Sequence, residues 1–452
     1  MPSTTDTILI NTIRDNAYQL AGAANDYDLL MELVGNASFV LIGEASHGTH
    51  EFYRERAEIT KRLIAEKDIT AVAVEADWPD AYRVNRYVRG VSPDADAKQA
   101  LGDFRRFPAW MWRNTDVADF VQWLREYNDA LPRNAMKIGF YGLDLYSLRT
   151  SMEAVLSYLQ KADPDVAAHA RARYACFDQF DQDIGRVYGF LTGATLAKPC
   201  RQEAVQQLVE LQRLAAEAAA KRDPRMDQDD EALFNALQNA RLVKNAEEYY
   251  RMMFLAEEST WNLRDRHMVD TLDALVGHLK RKGRRPRIAV WAHNSHLGDA
   301  RATEMAARGE LNVGQLVRQR YHDDAALIGF TTHRGTVTAA SDWEQPAERK
   351  NVRPGLPDSY EATFHDTGLD RFMLPCRAGE TVPGALRDPH LERAIGVIYR
   401  PDTERRSHYF YARLGLQFDA IVHFDQTRAV QPLDRSSGWE TTEAPDTFPT
   451  GM

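Results

Sequence analysis

Cysteine is scarce in this chain: Cys176, Cys200 and Cys376 are the only three among 452 residues, far apart and without a CxxC pair. That spacing speaks against both a disulfide framework and a thiolate metal site. No window approaches the roughly 20 apolar residues of a spanning helix. The N-terminus, MPSTTDTILINTIRDNAYQLAG, lacks the basic segment followed by an apolar one that marks a secretory signal. Positive charge is not in excess either. The formal net charge of -10 argues against a nucleic-acid partner. The one basic stretch, Lys280 to Arg287, reads as a helix end stopped by Gly283 and Pro286, because cations suit a helix C-terminus. No internal repeat is visible. A soluble, cytoplasmic globular protein with no membrane partner is expected, and its oligomeric state is not legible.

What is present is an alternation of short apolar runs with amphipathic stretches. Helices are expected over 7–34, and strands over 40–44, 71–75, 137–144 and 287–293, each followed by a helix; Ser147 is placed to cap one of them. Continuous apolar runs separated by helices are the mark of a mostly parallel sheet covered on both faces. Residues 148–282 differ in texture, rich in Ala, Leu, Glu, Gln and Arg. Helices are expected over 202–221 and 230–253, on either side of the break KRDPRMDQDD. Strands return at 325–332, 335–340, 372–374, 394–399 and 420–424. His333-Arg334-Gly335-Thr336 reads as a hairpin turn, which makes the sheet mixed. Residues 343–358 read as an exposed loop. The expected division is 1–147 and 287–435 as two halves of an α/β core, 148–286 as a helical insertion, and 436–452 as a polar tail.

Chemistry-bearing residues fall where strands end. Glu44 and His47 follow the first strand, with Arg54 and Arg56 soon after; Glu75 ends the second and Asp144 the third; His293 and His296 follow the fourth. Parallel strands would bring these groups to one edge of the sheet, where open α/β sheets bind ligands. Each has a plainer reading. Glu44, Asp77, Asp80 and Asp144 are well placed as helix or loop caps, and His50 as a solvent-facing helical residue. His47 is harder to assign to packing, since Gly48 permits close approach and Glu44 is positioned to orient the ring. There is no GxSxG elbow for a serine nucleophile, although Ser295 remains possible. Zinc is the serious competitor, since the His and Glu residues would suffice as ligands. An arginine beside them would repel a dication, and no HExxH is present, so metal-free acid–base work is favoured. Trp110-Met111-Trp112 suits either a wall for a bulky substrate or a packed aromatic cluster.

The segments GEASHGTHEFYRERAEITKRLI, VEADW, FPAWMWRN, FYGLDLYSL and WAHNSHLGDAR, in that order across nearly the whole chain, resemble the erythromycin esterase family. The resemblance implies a three-layer α/β/α fold with added helices, distantly similar to a haem-binding lipoprotein family. It implies a metal-independent hydrolase of esters or lactones, macrolides among them, acting on a small molecule without a cofactor. By correspondence of motifs, Glu44 and His47 form the catalytic centre with His47 as general base, and Arg56, Glu75, His293 and His296 complete the site. Arg56 and one of the later histidines would stabilise the oxyanion or protonate the leaving alkoxide, and Glu75 would hold Arg56 or a histidine in place. A metal- or haem-binding protein using the same His/Glu cleft is the alternative.

Overall fold

The computed structural model describes residues 4–220, 227–254, 260–283, 285–376, 384–436 and 439. The chain packs as two compact units, one formed by residues 1–72, 87–139 and 287–452, the other by 73–86 and 140–286. No helix among the described residues is long and apolar enough to cross a membrane.

The strands in chain order are β1 (Tyr18–Gln19), β2 (Phe39–Ile42), β3 (Ala71–Asp77), β4 (Gly139–Asp144), β5 (Ile288–Trp291), β6 (Ala325–Ala339), β7 (Glu348–Val352), β8 (Arg371–Pro375), β9 (His390–Arg393), β10 (Tyr409–Ala412) and β11 (Ala420–Thr427). In the first unit they run β1-β8-β11-β6-β2-β5, with β7 added to β6. β2 is parallel to β5 and β6, and β11 is parallel to β6, whereas β8 and β7 are antiparallel to their neighbours. Every residue of β2 and β5 is buried, as unbroken apolar runs require when both faces of a sheet are covered. Neighbouring residues of a strand point to opposite faces. Phe330 meets Phe52 of the helix His50–Glu66, while His423 and Phe372 meet Phe364 of the helix Tyr360–His365. Because Phe424 stacks with Phe330 and follows His423 directly, those two helices cover opposite faces. The expected mixed sheet between helical layers is therefore found.

The second unit holds β3, β4 and the helices Leu148–Ala162, Pro164–Tyr174, Ile184–Gly193, Arg201–Ala220, Asp227–Met252 and Thr260–Arg281. Ser147 does stand at the N-cap of the first of these, but its hydroxyl makes no capping hydrogen bond. Glu231 ties several pieces together, accepting from Asn85, Tyr141 and Lys282 at 3.2, 3.1 and 2.8 Å and meeting the His278 ring at 2.9 Å. Of the polar break at 221–230, residues 221–226 lie outside the described residues. The expected tail does too, except for Ser436 and the buried Trp439, whose Nε1 donates to Thr338 Oγ1 at 2.7 Å.

Several expectations need correction. The strands at 325–332 and 335–340 are one continuous β6 and not a hairpin. Gly335 is there because a Cβ would run into the Thr427 backbone of β11, a close approach rather than a turn. The loop expected at 343–358 contains β7. Residues 394–399 form only isolated bridges, Ser46↔Ile395 and Ala340↔Ile398, the regular pairing falling instead on β9 with β10. Cys176 and Cys200 are disulfide-bonded, with Cα atoms 5.9 Å apart, while Cys376 is free and buried. Chain spacing concealed that pair because the helices between the two cysteines fold back on themselves.

Candidate active site

β2 ends in a loop, residues 43–49, pinned on all sides by backbone hydrogen bonds. Gly43 N–H donates to Ile328 O, His47 N–H to Ile395 O, and Ile395 N–H to Ala45 O. Gly48 O accepts from both Thr338 and Val430. Gly48 is required here, since a Cβ would collide with the Thr338 backbone. The bridge-forming segment around Ile395, misread as a strand, thus serves as a buttress for this loop.

The loop holds Glu44 and His47 in contact, with Nδ1 of His47 2.9 Å from Oε1 of Glu44, both side chains buried. A carboxylate only accepts, so Nδ1 of His47 carries a proton, which makes Nε2 the nitrogen that holds the lone pair in the neutral ring. Arg56 lies 3.3 Å from the other Glu44 oxygen, with neither side chain exposed. Its guanidinium packs against the rings of Tyr53 and Trp291, 4.6 and 4.8 Å from their centroids. Arg54, the other arginine of the motif, instead pairs with Glu55. His50 begins the helix and meets Asp116 at 2.8 Å, part-buried where full exposure was expected.

β5 delivers the second histidine. His293 caps the short helix Asn294–Leu297, its Nδ1 accepting from Ser295 N–H at 3.2 Å, with Ser295 Oγ at 2.8 Å. A backbone N–H only donates, so Nδ1 of His293 is the acceptor and its proton sits on Nε2. The His293 and His47 rings are 4.9 Å apart, centroid to centroid. Two neighbouring imidazoles therefore hold opposite tautomers, one with a free lone pair on Nε2 and the other with an N–H there. The Ser295–His293 contact uses the capping nitrogen, which ties the serine to a structural role. His296 is buried on the same helical turn. Asn294, which sequence reasoning passed over, joins the loop to β6: its N–H donates to Glu44 O at 2.8 Å and its Nδ2 to Phe330 O at 2.8 Å. Its place between the two histidines was the available signal.

In the second unit, Asp144 ends β4 as expected, whereas Glu75 lies two residues before the end of β3, which runs on to Asp77; both are held by Arg264. The guanidinium donates to Glu75 Oε1 at 2.7 Å and to the two Asp144 oxygens at 2.9 and 2.6 Å. Asp144 also accepts from Leu145 N–H at 2.9 Å, in keeping with its expected local role. His267 is buried beside Asp144, and burial pushes it down to about 4. Arg264 carried no signal in the sequence, because it lies in the middle of a long helix with no motif around it. Trp110, Met111 and Trp112 are all buried, which favours the packed cluster over an open wall.

The family model for erythromycin esterase matches residues 64–427. Two curated proteins of Escherichia coli are similar in sequence. Erythromycin esterase type II is 22% identical over 325 residues, 70% of this chain and 74% of that protein. Erythromycin esterase type I is 21% identical over 336 residues, 71% of this chain and 76% of that protein. A solved succinoglycan biosynthesis protein superposes with a TM-score of 0.74 at 20% identity, covering 95% of this chain and 100% of that one. A mutant of the erythromycin esterase EreC in its open conformation superposes with a TM-score of 0.63 at 18% identity, covering 91% and 96%. Identities this low speak, among structures, for the fold alone. The family model, spanning most of the chain, decides the matter: this protein belongs to the erythromycin esterase family, a family of hydrolases.

Proposed function

We propose that the protein hydrolyses esters or lactones, with macrolide lactones as the candidate substrate, by metal-independent general-base catalysis from His47. The observation that supports this reading is the pair of opposite tautomers at His47 and His293, rings 4.9 Å apart. His47 Nε2 takes a proton from water as the oxygen attacks the carbonyl carbon. Glu44, 2.9 Å from Nδ1, stabilises the imidazolium that forms. His293 Nε2–H donates to the tetrahedral oxyanion, the role hydrogen-bond donors play where charge develops. Collapse breaks the C–O bond, and His47 returns its proton to the leaving alkoxide. Arg56, expected from its residue type to meet the oxyanion, is better placed to position Glu44, since it is fully buried against it at 3.3 Å. Glu75 and His296 are assigned to catalysis by family correspondence alone; within its own unit Glu75 has Arg264 and Asp144 as charged companions.

The test is to incubate chelator-treated protein with erythromycin and related macrolides, then with a panel of simple esters and lactones, and follow the gain of one water by mass spectrometry. Hydrolysis is expected in the wild type, with a loss of about 10²–10⁴-fold in His47→Ala. Wild-type rates in His47→Ala would remove the general-base assignment. Activity lost on chelation, with folding retained, would remove metal independence. Turnover of simple esters without macrolides would narrow the substrate class.

A further inference from the structure

A second cluster of imidazole and carboxylate groups lies on the other face of the first unit's sheet, under the helix Tyr360–His365. It shares no residue with the Glu44, His47 and His293 set. His333 comes from β6 and Asp425 from β11, parallel neighbours whose register pairs Gln426 with Arg334 and Phe424 with Thr332. Asp425 and His333 are thus brought side by side. His365, the last residue of the helix, stacks its ring on His333 with centroids 3.9 Å apart, and its Nδ1 is 2.6 Å from Asp425 Oδ1. One ligand atom from each of His333, His365 and Asp425 lies within 4.8 Å of the others.

A separate observation points into the same place. His423, two residues before Asp425, is fully buried, and its Nε2 meets no hydrogen-bond partner among the described residues. That nitrogen lies 4.0 Å from Asp425 Oδ1, while Nδ1 is engaged by Thr331 Oγ1 at 2.9 Å. A buried ring nitrogen without a partner is costly unless something fills the role.

We propose that His333, His365 and Asp425 bind a divalent transition-metal ion of the zinc class, with His423 Nε2 beside the Asp425 ligand at 4.0 Å. Two or three imidazoles with one carboxylate is a donor set suited to zinc, cobalt or nickel and poorly suited to calcium or magnesium. His333 Nδ1 is 3.3 Å from Glu361 O, and donation to that carbonyl frees Nε2 for the metal. Ligating histidines commonly carry such an outer hydrogen bond. Gly355 N–H lies 3.3 Å from the same Nδ1 and favours the opposite tautomer, so metal binding would select between the two. The nearby Arg393, donating to His333 O at 3.0 Å, has its charge met by Glu404 at 3.2 Å. Ligand atoms about a tetrahedral zinc sit about 3.3 Å apart for bonds of about 2.0–2.2 Å. His365, with 42% of its side chain exposed, has room to close that gap and leaves a path for the ion. Bound metal would tie β6, β11 and the helix Tyr360–His365 together, a structural role separate from ester hydrolysis.

The experiment strips the full-length protein with chelator and titrates it with Zn²⁺ by calorimetry and with Co²⁺ by visible absorption. Four proteins are compared: wild type, His365→Ala, Asp425→Asn and His47→Ala. The expected result is one ion per chain, visible Co²⁺ ligand-field bands, and a rise in Tm with zinc. His365→Ala and Asp425→Asn should lose affinity by at least about 100-fold, whereas His47→Ala should bind as the wild type does. Absence of saturable binding in a folded wild-type protein would overturn the proposal. So would binding retained in both Asp425→Asn and His365→Ala, or lost in His47→Ala alone, which would place the metal in the catalytic loop. If Asp425→Asn fails to fold, His365→Ala, at the half-exposed end of a helix, decides by itself.

Discussion

Arg56 carries a full charge with none of its side chain exposed, set against Glu44 at 3.3 Å and against the faces of Tyr53 and Trp291. Desolvated cation–π contacts are worth about 2 kcal/mol, and removing one partner of a buried ion pair costs about 3–5 kcal/mol because the other charge is stranded. Arg56→Ala is therefore expected to lower stability to urea by about 3–5 kcal/mol and to reduce hydrolysis along with it. A loss below about 1 kcal/mol would mean that Glu44 does not depend on this arginine. The residue types Glu44, His47 and Arg56 were legible from the motif alone. Which of Arg54 and Arg56 turns inward was not, since only the packing of the helix on the sheet sends Arg56 inside and leaves Arg54 with Glu55. The two His tautomers were likewise invisible, because they follow from hydrogen bonds to Glu44 and to the Ser295 backbone.

Among elements, the 43–49 loop bears most on function. Its position is set by backbone hydrogen bonds to residues distant in sequence, Ile328 and Thr338 of β6, Ile395 and Val430. Gly48 is the point of closest approach, and Gly48→Ala is expected to push the loop off Thr338, costing about 1–3 kcal/mol as overpacking does. Activity should fall by more than the stability change explains, since His47 is the neighbouring residue. Unchanged Tm and unchanged turnover would show the backbone contact to be slack. The strands β2, β3, β4 and β5 were readable because each is a short apolar run between helical patterns. β6 was misread because Gly335 looks like a turn residue when its neighbours are unknown. The stretch 394–399 was misread because its burial comes from bracing the loop and not from a ladder.

Across the whole molecule, buried titratable groups set the pH range of stability. Burial pushes His267 and His408 from 6.5 down to about 4. The stability they contribute is present above pH 6.5 and is lost as pH falls through 4. Burial, reinforced by Glu361, pushes Glu392 up from 4.5 to about 8. Its contribution is present below pH 4.5 and is lost as pH rises through 8. The Tm should therefore peak near pH 6.5 and fall on both sides, and Glu392→Gln should flatten the alkaline side and steepen the acid side between pH 4.5 and 6.5. A wild-type Tm that does not change between pH 6.5 and 9 would show that Glu392 ionises without cost. By itself the sequence determined the alternation of strand and helix, the family and the residue types at the strand ends, because periodicity and local motifs are properties of neighbouring residues. Only tertiary structure decided the Cys176–Cys200 bond, the pairing of Arg264 with Glu75 and Asp144, and the meeting of His333, His365 and Asp425. Each joins residues whose proximity depends on sheet register and helix packing, which short-range patterns do not encode.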